Sequence, residues 1–304
     1  MLHSSDSLIR SAFTNVLGRV LPGHGFSDRP DGSFRPDATA WAMMVLKNQE
    51  LKSEIVKAAG DRLLDVQMPD GRVVISKGHL DAYWPTPLSI LAWDGSSAHQ
   101  SALEHATTFL LKTTGVHWEK TNQDVVGHDT LIPGWPWVDS THSWVAPTAL
   151  SMIALTVSGF GDHERVKAGA RLLVDRQIPS GGWNYGNTSV LGKKLRPFPE
   201  TTGVALNALV GHVQREAIEP SIEYLLQHIS TYRTPLSLGW SILGLKAWNA
   251  VPAKAHEWII ETFERGHLYG GYDTASLCVL LAAALASSGL ESVVTTRPHG
   301  TKSS

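Results

Sequence analysis

The chain has 304 residues, is 42% hydrophobic and 18% charged, and carries a formal net charge of -2. That balance, with no run of five basic residues, excludes a dedicated polyanion binder, so no nucleic-acid partner is expected. A single cysteine, Cys278, excludes an internal disulfide framework.

The segment from Met1 to Val20 lacks the uninterrupted apolar run of a signal peptide. The longest strongly apolar stretch, 275–286, is too short to span a bilayer. These features lead us to expect a cytoplasmic protein, with membrane contact confined to the surface. They do not fix an oligomeric state.

In chain order, Asp6 to Val20 places Leu8, Ile9, Ala12, Phe13, Val16, Leu17 and Val20 on one helical face, with Asp6 as N-cap. Pro30-Asp31-Gly32 makes a turn. A helix apolar almost all round then opens at Asp37, and such a helix is buried on most sides. Leu51 to Gln67 is amphipathic, and Trp84-Pro85-Thr86 leads into a second apolar helix through Trp93. Ala98 to Lys112 is amphipathic. A long loop, Gly115 to Ser143, delivers the chain to an apolar helix at Pro147. Asp162 to Gln177 pairs with Thr201 to His212, and Glu216 to Ile229 with Pro235 to Trp248. Pro252 to Arg265, with Pro252 in its first turn, pairs with Asp273 to Ser287. The tail from Thr295 is expected to be disordered.

Amphipathic and apolar helices thus alternate six times. A hairpin of this kind cannot bury both faces alone, so copies must pack around a centre. The expected fold is all-α, a single (α/α)6 toroid of six inner and six outer helices over residues 1–294. An open solenoid is the alternative, but it would expose the apolar helices. The stretch Gln177-Ile178-Pro179-Ser180-Gly181-Gly182-Trp183 marks the turn between an outer and an inner helix. Gln67-Met68-Pro69-Asp70-Gly71 repeats it without the tryptophan.

These turns resemble the QW repeat of squalene-hopene and oxidosqualene cyclases, in the terpene cyclase and prenyltransferase toroid superfamily. The resemblance implies an isoprenoid or terpenoid ligand and acid-initiated cyclisation or isomerisation. The proton donor of such cyclases is the middle residue of Asp-x-Asp-Asp-Thr-Ala. Here Arg35-Pro36-Asp37-Ala38-Thr39-Ala40 keeps Asp37, while Arg35 and Ala38 replace the flanking carboxylates. Glu200 holds the analogous place in Pro199-Glu200-Thr201-Thr202. The zinc site of protein prenyltransferases is not matched around Cys278, and no metal or cofactor is expected.

Asp37 and Glu200 each begin an inner helix, where a carboxylate complements the helix dipole and satisfies free N–H groups. The functional reading makes them general acids at the mouth of a central cavity, with Asp37 the proton donor and Glu200 a second acid or base. A helix N-terminus favours the ionised form, so a donor there has to be desolvated among aromatics.

Eleven tryptophans supply ring faces that stabilise cations or bind polyisoprenoids. Trp41, Trp84, Trp135, Trp137, Trp144, Tyr185, Trp240 and Tyr272 are the expected ligand-lining set, whereas Trp183 is expected to brace helices. Arg35 is a candidate for an anionic head group. Asp139 and His142, three apart in the long loop with His128 and Asp129 nearby, could share a proton; no third metal ligand accompanies them. Two other readings stay open. One is a non-catalytic toroid that binds an isoprenoid or a partner protein. The other is a carbohydrate-active (α/α)6 enzyme, which pairs two carboxylates across a tryptophan-lined cleft.

Overall fold

The computed structural model describes residues 2–121 and 126–295. Residues 296–304, where the sequence reading places a disordered tail, lie outside them. Six outer helices are α1 (Leu2–Leu17), α3 (Ser53–Leu64), α5 (Gln100–Lys112), α7 (Glu164–Asp175), α9 (Arg215–His228) and α11 (Ala255–Arg265). They alternate with six inner ones: α2 (Pro36–Asn48), α4 (Pro85–Trp93), α6 (Val145–Leu155), α8 (Pro199–Ala208), α10 (Pro235–Ala247) and α12 (Thr274–Leu285). A short α13 (Glu291–Val294) follows, and packs on α2.

Each inner helix packs on the next, and α12 packs on α2, so the inner ring closes. The fold is an (α/α)6 toroid. No described helix is long and apolar enough to cross a membrane. Two short strands unforeseen in the sequence, β1 (Ser189–Val190) and β2 (Lys193–Lys194), pair antiparallel in the loop before α8. Two expected helix starts shift. The first helix begins at Leu2, so Asp6 lies inside it, and Pro252 lies three residues before Ala255, whose N–H it receives at 3.0 Å.

The outer-to-inner turn is held by one threonine device, used four times. The backbone N–H groups of Phe26, Val73, Trp135 and Trp183 donate to the hydroxyls of Thr39, Thr86, Thr148 and Thr202, at 2.9, 2.9, 3.0 and 3.0 Å. In three of these the hydroxyl donates onward at 2.7 Å into its own first turn, to Arg35, Tyr83 and Phe198 carbonyls. A buried N–H that is left unmet costs about 1–3 kcal/mol, so each threonine fixes where its turn meets the inner helix.

In two of these turns a Gln-x-Pro-x-Gly segment ties the turn to the next outer helix. Gln67 donates to the Ala102 carbonyl in α5 at 2.8 Å, and Gln177 to the Ser221 hydroxyl in α9 at 2.7 Å. Gly71 and Gly181 have φ of +97° and +89°, and a Cβ on either would overlap the carbonyl oxygen of His105 or Pro220 in that same helix. Glycine therefore serves both the left-handed backbone and the close approach.

Trp183 is fully buried and donates its indole N–H to the Leu173 carbonyl of α7 at 2.6 Å. It is the helix brace expected from the sequence. Trp135 does the same work, donating to Leu110 of α5 at 2.9 Å. At 1% exposure it is a packing residue, which corrects its assignment as ligand-lining.

Candidate functional site

All six inner helices start at the same end of the toroid, because each outer helix runs the opposite way. That end, termed the mouth below, is ringed by helix N-termini, whose partial positive charge favours carboxylates there. Asp37 and Glu200 are each the second residue of an inner helix, α2 and α8. These two helices face each other across the ring, three steps apart in either direction. With packed helices 8–10 Å apart, the axes of opposite members are about 16–20 Å apart. The two acids are therefore on opposite walls, and each is bonded locally.

Asp37 is buried, and Arg35 binds both its carboxylate oxygens at 2.9 and 3.0 Å. A forked guanidinium–carboxylate pair suits an anion. The same bond holds the Arg35 guanidinium above its ordinary range. Arg35 is thus committed to Asp37 and is not a free anion receptor. Glu200 is half-buried and accepts from the Ser237 hydroxyl of α10 at 3.1 Å through one oxygen. Tyr224 and Tyr232 lie close by, their hydroxyls 3.4 Å apart. Burial pushes both phenols up, and the Glu200 charge adds to that.

Below the acids, Trp41 of α2 and Trp240 of α10 meet edge to face at 5.7 Å between centroids. Their helices are not neighbours, since α12 lies between them, so the contact is made inside the ring. Each is the sixth residue of its helix, about 7.5 Å below the helix starts, and both are buried. On the rim, Trp84 and Trp137 are half-buried and meet edge to face at 6.0 Å. Tyr185 is 57% exposed, with its ring 5.0 Å from that of Phe198.

The long loop does not pair Asp139 with His142. Asp139 is exposed and accepts from the N–H of Ser140 at 2.9 Å. His142 lies 4.0 Å from the Trp144 ring and 6.1 Å from that of Trp118. Burial, then Arg176, pushes its imidazole down.

The loop is held from α7 by residues that the sequence reading did not single out. Arg165 donates to the Thr113 and Gly134 carbonyls at 2.7 and 3.1 Å and lies 4.1 Å over the Trp135 ring. Arg176 donates to Ser143 and Gly186 carbonyls at 3.1 and 3.2 Å, and Asp175 accepts from Asp129 N–H at 3.0 Å. Burial lowers both arginines to about 10. Only long-range packing reveals these clamps; no local motif marks them. His128 is buried beside Arg176 and His142 with neither ring nitrogen hydrogen-bonded, and burial lowers it to about 4.

Tyr272 is not at the mouth. Its hydroxyl donates to the Thr262 carbonyl of α11 at 2.8 Å, on the outer side of α12. Among the described residues no group of three or more His, Cys, Asp or Glu is placed to hold a metal, and Cys278 is buried, its thiol pushed up by burial.

No protein-family model matches the chain, and no curated protein matches it in sequence. Solved structures do match over nearly its whole length. The type II terpene cyclase MstE from Scytonema is 15% identical, with a TM-score of 0.61, covering 94% of this chain and 100% of that one. A variant of it, in complex with geranylgeranyl dihydroxybenzoate, gives 13% and 0.62, covering 94% and 99%. An inactive variant of the alpha-1,6-mannanase GH76A of Salegentibacter sp. HEL1_6, in complex with alpha-1,6-mannotriose, gives 11% and 0.62, covering 93% and 99%. The shared property is the toroid. At these identities the likeness carries fold alone, and function has to be argued from the mouth.

Proposed function

We propose that the chain is a terpene-cyclase-like toroid that binds an isoprenoid or terpenoid ligand in the mouth formed by its inner-helix N-termini. The supporting observation is the buried Trp41–Trp240 contact, where rings from two non-adjacent inner helices meet inside the ring beneath the helix starts. Indole edges and faces suit a branched hydrocarbon and a developing carbocation, each worth about 0.5–2 kcal/mol to a cation. Trp84, Trp137, Trp144 and Tyr185 extend that surface along the rim. MstE, similar across the chain, is a cyclase whose variant holds a geranylgeranyl compound. A cytoplasmic protein with this mouth would draw its apolar ligand from a membrane surface.

For proton transfer the better placed carboxyl is Glu200. Asp37 has both oxygens on Arg35, whereas Glu200 uses one oxygen on Ser237 and, among the described residues, has the other free. Incubation with geranylgeranyl dihydroxybenzoate and mass analysis of products tests this. An isomer of unchanged mass should form, and Glu200→Gln should abolish it with the fold intact. Loss in Asp37→Asn alone, with that variant folded, would return the role to Asp37.

The mannanase likeness supports a second reading, an oligosaccharide bound over Trp84 and Trp137. Against it stands the opposite-wall placement of Asp37 and Glu200, since glycosidic cleavage needs carboxyls about 5–9.5 Å apart.

A further inference from the structure

A cleft of about 370 Å³ lies outside the ring, between α1, the turn at Arg29-Pro30 and the 3₁₀ turn Gly266–Tyr269 that follows α11. That volume falls within the range of small-molecule sites, roughly 300–1,000 Å³. Its lining includes the apolar Phe263 and Leu277 with Tyr272, and also Arg19, Arg29 and His267. Among the described residues no carboxylate lines it, and neither arginine is in an ion pair.

Arg19 is 7% exposed, and its contacts are all neutral. It donates to the Asp28 carbonyl at 3.3 Å, the Thr274 hydroxyl at 3.0 Å and the Tyr272 carbonyl at 2.7 Å. Its Nε has no partner. The Asp273 and Asp28 carboxylates act on it through space, and both Asp273 oxygens are taken up by Ser276. Burial pushes the guanidinium down, and Arg29 adds to that. Arg19, held by neutral partners, and the exposed Arg29 make this side of the cleft cationic, which favours a carboxylate or phosphate there. Tyr269 stacks on the Tyr272 ring at 6.2 Å between centroids and, like the adjacent Leu268, is exposed.

We propose that this cleft binds a small amphiphilic anion, with a carboxylate or phosphate head against Arg19 and Arg29 and a short apolar tail along Phe263, Tyr272 and Leu277. The site is separate from the mouth and does not rest on the function proposed for it.

Calorimetric titration of the full chain with octyl phosphate, octanoate, octanol and inorganic phosphate tests the proposal. Arg29→Ala removes one cation without touching a structural bond, and Asn15→Trp, on the exposed side of α1, fills the cleft. The expected result is binding of octyl phosphate or octanoate at least about tenfold tighter than octanol and than inorganic phosphate. Whichever of the two binds tighter names the head. Arg29→Ala should lose about tenfold and Asn15→Trp should lose binding, with melting temperatures unchanged. Octanol binding as tightly as the anions overturns the proposal. So does inorganic phosphate matching octyl phosphate, or affinities untouched in both variants.

Discussion

Arg35 grips Asp37 through two parallel hydrogen bonds, Nε to Oδ1 at 2.9 Å and Nη2 to Oδ2 at 3.0 Å, across the start of α2. Asp37 is one half of an ion pair at a helix N-terminus, where the dipole adds to the fit. Arg35→Ala leaves a buried carboxylate without its partner. The Arg35 side chain is 37% exposed, so water offsets part of the loss. The expected destabilisation is about 1–2 kcal/mol by urea unfolding. Unchanged stability would mean that the pair does not form in solution.

The threonine device predicts a matched set of losses. Thr202→Val keeps shape but leaves the Trp183 N–H unmet, and should cost about 1–3 kcal/mol. Trp183→Ala and Trp135→Ala should each cost about 3–5 kcal/mol, because both rings are fully enclosed. If Trp135→Ala unfolds at the wild-type urea midpoint, Trp135 is no brace.

Two glycines separate backbone strain from steric clash. Gly181 has φ of +89° beneath the Pro220 carbonyl, whereas Gly192, at +74° in the β1–β2 turn, has open space around it. Gly192→Ala should cost only the left-handed penalty, about 1–2 kcal/mol. Gly181→Ala adds overpacking of a further 1–3 kcal/mol or so. Equal melting temperatures for the two variants would contradict the close approach of α9.

The buried histidines give a pH dependence of definite sign. His128 is lowered to about 4 by burial, with Arg176 and His142 adding and Asp129 opposing. Between its ordinary 6.5 and about 4, the unfolded chain takes up a proton that the folded chain does not. Stability from this residue is therefore full above pH 6.5 and falls as pH drops to about 4, by at most about 3 kcal/mol. His117 and His142, also lowered by burial, act in the same direction. Urea unfolding from pH 7.5 to 4 should show the decline, and His128→Gln should flatten part of it. A His128→Gln profile parallel to wild type would show that the ring is solvated.

The ring was legible in the sequence because each inner helix combines an apolar run with a threonine at its start, and each outer helix keeps one apolar stripe. The Gln-x-Pro-x-Gly turn could be read because its proline and glycines have local causes. The same turn at Trp135 stayed hidden, although Gly134-Trp135 and Thr148 repeat the spacing of Gly25-Phe26 and Thr39. There the long loop replaces the glutamine and proline, and only the hydrogen bonds reveal the equivalence. The rest of the site was set by contacts between distant segments. Arg165 and Arg176 hold a loop more than thirty residues away. Tyr272 sits beside the expected mouth in sequence but turns outward to Thr262. Inner-helix spacing alone brought Trp41 and Trp240 to the same depth, and their contact across α12 needed the closed ring.

The most direct test of the account is calorimetric titration of the full chain with geranylgeranyl dihydroxybenzoate and, separately, with alpha-1,6-mannotriose. Saturable one-to-one binding of the geranylgeranyl compound is expected, weakened at least about tenfold by Trp240→Ala and unaffected by Asn15→Trp. Mannotriose should not bind. Saturable mannotriose binding with no uptake of the geranylgeranyl compound, or an isoprenoid affinity indifferent to Trp240, would contradict the account.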